Sequence, residues 1–168
     1  MSIRGPQTAL SAIAALLAGL ACSGRYEGGL TSGSGPSPAD FSAVAETLDG
    51  HCGSLTCHGA AFRNLRLYGK NGRRLDPGDV PGGRATTDAE VEADYRSVIG
   101  LEPELARAVA ESGGAQPERL TLVRKARGTE AHVGGAVFPK GSNGDLCIVS
   151  FVSDKTDVPS CNNSLLDP

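Results

Sequence analysis

Two cysteines and two histidines crowd into one short stretch, His51-Cys52-Gly-Ser-Leu-Thr-Cys57-His58-Gly59. Their order points to a particular chemistry. Each thiol can add to a vinyl group of a haem to form a thioether, while the imidazole directly after the second thiol lies close enough to ligate the iron. The usual attachment segment has two residues between its cysteines. Here Gly53, Ser54, Leu55 and Thr56 intervene, which lengthens the loop across the porphyrin edge. The same residues admit two other chemistries. In an oxidising compartment Cys52 and Cys57 close a small disulfide loop and His58 is an ordinary surface residue. Zinc would take both thiolates and two histidines, but exported thiols tend to oxidise, and no second cysteine pair has metal-ligand spacing.

A six-coordinate haem iron takes a second axial ligand, and the chain offers few candidates. There are 3 histidines and a single methionine, Met1, which leaves with the export segment described below. His51 is too near the attachment loop to reach across a porphyrin. The remaining candidate is His132, in Ala131-His-Val-Gly-Gly-Ala-Val-Phe138, where Gly134 and Gly135 would let backbone approach a flat ring closely. The plain alternative is an exposed loop histidine beside a turn.

These residues must be carried by a chain of 168 residues that is poor in aromatic side chains (4%), lacks Trp and holds 23 glycines. One modest domain fits, and its thin apolar supply would benefit from covalent or cofactor support. The formal net charge of -3, without a block of like charges, argues against nucleic acid as a partner. Residues 1–21 read as an export signal: Arg4 precedes an uncharged apolar run from Ala9 to Ala21, too short to span a bilayer comfortably. Leu17-Ala-Gly-Leu-Ala-Cys22 resembles the lipobox of bacterial lipoproteins, which implies acylation of Cys22 and a lipid-anchored location in the cell envelope. Simple cleavage near Ala21 is the competing reading. Residues 22–37 are rich in Gly, Ser and Pro and read as a flexible tether.

The remaining residues, 38–168, carry helical signals. Ser37, Pro38 and Asp40 open a helix whose Phe41, Val44, Ala45 and Leu48 share a face, with Gly50 as its stop. Asn64 to Tyr68 alternates apolar and polar residues, and Gly69 to Gly83 reads as exposed turns. Thr87-Asp-Ala-Glu90 is a capping box for a helix through Val91, Tyr95, Val98 and Ile99. Leu105 to Val109 is a short helix, Pro117 starts another through Leu120 and Val123, and a last one begins at Ser142 with Leu146, Val149 and Val152 on one side. The acids Asp88, Glu90, Glu92 and Asp94 are expected to be solvated near a helix start. Cys147 and Cys161 suit a disulfide closing a loop that contributes about 3 kcal/mol in the chain-entropy model.

The order of these segments resembles the cytochrome-c-like modules of bacterial exported proteins. Such modules open with a short helix and a Cys-x-x-Cys-His-Gly type segment and continue into an Asn/Gly-Leu-Arg-Leu stretch, here Cys52 to Gly59 and Asn64 to Tyr68. They later carry a Pro-Glu-x-x-Leu-x-x-Arg-Lys helix, a His-Gly-Gly-Gly-x-x-Phe loop and a final helix opened by Gly-Ser, similar to Pro117–Lys125, His132–Phe138 and Gly141–Val152. In this chain Val133 replaces the first glycine after the histidine. The resemblance implies a mainly α, small helical domain with long loops around one covalent haem c. It also implies attachment through Cys52 and Cys57, His58 as proximal ligand, and one-electron transfer to a redox partner it does not name.

No Gly-x-Ser-x-Gly elbow, phosphate-cradling loop or His-Glu-x-x-His helix is present, so an enzyme is not expected. The alternative function is a haem-free, disulfide-stabilised envelope or interaction module on the same scaffold.

Overall fold

The computed structural model describes residues 35–167. The export segment, Cys22 and all of the tether before Gly35 lie outside the described residues. Among the described residues the protein is mainly helical, with six α-helices, a 3-10 turn and no strand beyond an isolated bridge between Tyr68 and Arg73.

Helix α1, Phe41–Cys52, begins where the Phe41 amide bonds the Pro38 carbonyl. Phe41, Val44, Ala45 and Leu48 are all buried, as their spacing predicts. Gly50 does not stop this helix. It lies inside it, close to the Leu165 side chain, and the helix ends after Cys52, where the Gly53 amide returns to the Asp49 carbonyl. Helix α2, Asp88–Ile99, has the expected reciprocal cap: Thr87 Oγ1 accepts from the Glu90 amide and the Glu90 carboxylate accepts from the Thr87 amide. Helix α3 spans Pro103–Glu111.

The segment after Pro117 is not one helix but two pieces, a 3-10 turn over Pro117–Arg119 and helix α4, Thr121–Ala126, separated by an extended Leu120. The break follows from Glu102, whose carboxylate accepts from the Thr121 amide (2.6 Å) and hydroxyl (3.1 Å) and so caps α4 from a distant loop.

Helix α5, Asn143–Val152, starts at Ser142, whose hydroxyl accepts from the Asp145 amide. Its buried side chains include Cys147, Ile148, Phe151 and Val152, whereas Leu146 is 44% exposed, so the core-facing stripe lies beside the expected one. Helix α6, Val158–Ser164, is additional to the sequence expectations; Asp157 caps it by accepting from the Ser160 amide.

Helix α5 is the hub, packing against α1, α3, α4 and α6, while α1 also packs on α2 and α6. Phe41 meets Phe151 and Tyr95 with ring centroids 5.0 and 5.4 Å apart. The expected disulfide between Cys147 and Cys161 joins α5 to α6. Thr47 Oγ1, buried on α1, bonds the Cys161 carbonyl at 3.0 Å and draws α6 onto α1. Two expectations about polar residues are corrected. Glu90 and Asp94 are 1% and 0% exposed rather than solvated. The turns from Gly69 to Gly83 are irregular, yet Arg74 within them is buried. Glu90 and Arg74 are buried together as an ion pair, in which the Arg74 guanidinium bonds both Glu90 carboxylate oxygens at 2.9 Å, whereas Asp94 is buried against the Tyr68 amide.

Candidate functional site

The C-terminus of α1 delivers Cys52 to a loop that folds back on itself. The His58 amide bonds the Cys52 carbonyl at 3.0 Å, and the Gly59 amide bonds the Ser54 carbonyl at 3.0 Å. These bonds hold the longer Cys-x4-Cys segment in a compact turn and set His58 against the extended run that follows. The Leu67 amide bonds the His58 carbonyl at 2.9 Å, and Leu65 and Leu67 turn inward. The Leu65 carbonyl then lies 3.0 Å from His58 Nδ1. A carbonyl only accepts, so Nδ1 carries the proton and donates, and in the neutral ring the lone pair resides on Nε2. Burial, opposed by this hydrogen bond and assisted by His132 and Arg63, holds His58 below the ordinary histidine range.

His132 arrives on the loop between α4 and α5. Lys125 Nζ donates to the Ala131 carbonyl, the Phe138 amide bonds the Ala126 carbonyl, and Glu130 pairs with Arg124 and Lys125, so both ends of this loop are pinned to α4. A Cβ at Gly134 would stand 3.0 Å from His132 Cε1, and Gly135 has φ +69°. The paired glycines thus leave the imidazole its place and allow the chain to turn beneath it. The His58 and His132 rings face each other with centroids 5.8 Å apart and planes 25° from parallel. In stacked rings the nitrogen lone pairs lie in the ring planes, so the two imidazoles would have to turn their Nε2 atoms toward one another to ligate a single metal from both sides.

The two histidines stand on a cavity of about 560 Å³ whose apolar lining includes Leu48, Leu65, Leu122, Phe138 and Ile148. Cys52 and Cys57 line the same cavity and are both free, so they do not form the small disulfide considered for them. Their thiols differ. Burial, reinforced by the neighbouring Cys57, pushes Cys52 up to about 12. Cys57 is exposed, and hydrogen bonds from Ser54 and Thr56 lower its thiol. His51 lines the cavity as a wall: its Nε2 bonds the Ser164 carbonyl at 2.9 Å, and its ring meets Phe138 in an edge-on contact. Phe62 and Val133, which are 79% and 97% exposed, add apolar surface where the cavity opens.

The site therefore gathers His58, His132, Cys52 and Cys57 around one apolar space. The Leu65 carbonyl and the Phe138 wall complete it; sequence signals for them existed only as the Asn64–Tyr68 alternation and the Gly-Gly-Ala-Val-Phe run. Among the described residues no three of His, Cys, Asp and Glu converge so as to hold a bare metal ion. Compared with known proteins, the chain matches no family model, no curated protein and no solved structure.

Proposed function

We propose that the protein is an exported c-type haem-binding lipoprotein, a cytochrome-c-like one-electron carrier of the cell envelope held to the membrane through Cys22. Cys52 and Cys57 are its thioether attachment points, His58 the proximal ligand and His132 the distal one. The observation that carries the reading is the apposition of His58 and His132 across an apolar cavity that also holds two free thiols. The bond from His58 Nδ1 to the Leu65 carbonyl supports it further, because a metal-bound histidine almost always donates its other ring N–H to a second group that fixes tautomer and orientation. Bound there, haem supplies a one-electron iron couple. The chain's own residues orient the imidazoles, exclude water through Leu48, Phe138 and Ile148, and tether the group through two sulfurs.

The test is expression through the periplasm with c-type maturation machinery, followed by a pyridine haemochrome assay and intact mass. A covalent haem in the wild type and none ligated through His58 in the His58→Ala variant is the expected result. A colourless protein that gains no haem mass under these conditions overturns the reading in favour of a haem-free envelope module.

A further inference from the structure

Three carboxylates are buried around the segment from Tyr68 to Leu75. Asp49 of α1, 3% exposed, accepts from the Asn71 amide and side-chain nitrogen, each at 3.0 Å. Asp94 of α2, fully buried, accepts from the Tyr68 amide at 2.7 Å. Glu90 of α2 accepts from the Leu75 amide and from Arg74. Arg74 is the only cation buried with them among the described residues, and its guanidinium is occupied by Glu90 and by the carbonyls of Arg84 and Ala85. Asp79 faces Arg74 at 3.8 Å and is matched by Arg84 at 2.8 Å. Asp49 Oδ1 and Asp94 Oδ2 are left buried without a hydrogen-bond partner.

The two acids address adjacent backbone: Asp94 holds Tyr68, and a Cβ on the next residue, Gly69, would stand 2.6 Å from Asp49 Cγ. A Cβ on Gly72 would overlap the Gly53 carbonyl oxygen, so this segment lies directly against the loop that carries Cys52, Cys57 and His58. Two carboxylates buried without a cation of their own are costly. A single proton removes one of the two charges.

We propose that Asp94 holds a proton on Oδ2 beside the charged Asp49, and that the two carboxyls clamp residues 68–75 behind the thiol-bearing loop until that proton leaves. Burial, opposed by the Tyr68 hydrogen bond and reinforced by the charges of Asp49 and Glu90, pushes Asp94 up to about 8, and burial moves Asp49 in the same direction. The folded value thus lies above the unfolded one, about 3.9. Between these values the folded state keeps a proton that the unfolded chain has released, so stability falls as pH rises from about 4 to about 8 and then levels off. Asp94→Asn retains an acceptor for the Tyr68 amide and a donor in place of the proton, and it cannot ionise. The clamp does not depend on haem.

The experiment uses the full chain in EDTA, with 13C-labelled aspartate followed by NMR from pH 5 to 10 and thermal melts of wild type and Asp94→Asn. One aspartate carboxyl that titrates near pH 8 in the wild type and is lost in the variant is expected. So is a wild-type Tm that drops by several degrees relative to Asp94→Asn between pH 6 and 9. Aspartates that are all ionised by pH 6 in the wild type, or melting profiles that stay parallel, overturn the proposal. In a parallel melt with excess calcium in place of EDTA, a rise in Tm that Asp94→Asn abolishes also overturns it, because a cation then holds the two acids.

Discussion

His58 and His132 face each other at a centroid distance of 5.8 Å although α2, α3 and α4 lie between them in the chain. The two loops are held independently, one by the Leu65 carbonyl and the return to Cys52, the other by α4 and its ion pairs with Glu130. Neither imidazole needs the other for its position, so each can be removed with a separate readout.

On the proposed haem reading, His132→Ala leaves the group covalently attached through Cys52 and Cys57 and converts a six-coordinate low-spin spectrum to a high-spin one that added imidazole restores. An unchanged spectrum would remove His132 from the ligand set. With histidine on both faces, the wild-type midpoint potential should lie below that of a Met-ligated cytochrome. A Met-like high potential would contradict this assignment.

In the haem-free protein Cys57 should be alkylated by iodoacetamide at pH 8 well before Cys52. Cys57 is exposed with a lowered thiol, whereas Cys52 is half-buried and pushed up to about 12. Intact mass with peptide mapping reads the order, and equal labelling would refute it.

Replacing Cys147 and Cys161 together by Ala should lower stability by about 3 kcal/mol, the chain-entropy value for a loop of this length. The bridge spans a sequence separation of 14 and both residues are fully buried. Denaturant unfolding measures the loss.

Arg74→Met should destabilise the fold by about 3–5 kcal/mol, since it leaves Glu90 buried and uncompensated. In the wild type, burial alone would raise Glu90, but Arg74, the Leu75 and Thr87 amides and the Thr87 hydroxyl outweigh it and hold the carboxyl at about 2. A depressed folded value contributes stability above the unfolded value, about 4.3, that disappears as pH falls toward 2. Melting between pH 5 and 2 should therefore show a loss in the wild type that Arg74→Met lacks.

What the sequence alone determined is local. The Thr87–Glu90 capping box, the Ser142 cap, the apolar face of α1 and the alternation at Leu65 and Leu67 all rest on residues within about four positions of one another, where backbone geometry leaves few choices. The candidate site was legible for the same reason: thiols and imidazole are adjacent in the chain, and the glycines after His132 announce a close approach. The tertiary structure alone decided the features that depend on distant partners. Glu102 splits the segment after Pro117, Arg74 allows Glu90 to be buried, and Ser164 takes up His51. The packing of α1, α3, α4 and α6 around α5 selects which stripe of that helix is covered. The tautomer of His58 depends on the Leu65 carbonyl, which meets the ring only after the loop closes. Each of these balances desolvation against a partner supplied from elsewhere in the chain, and that partner's position is a property of the fold rather than of the neighbouring sequence.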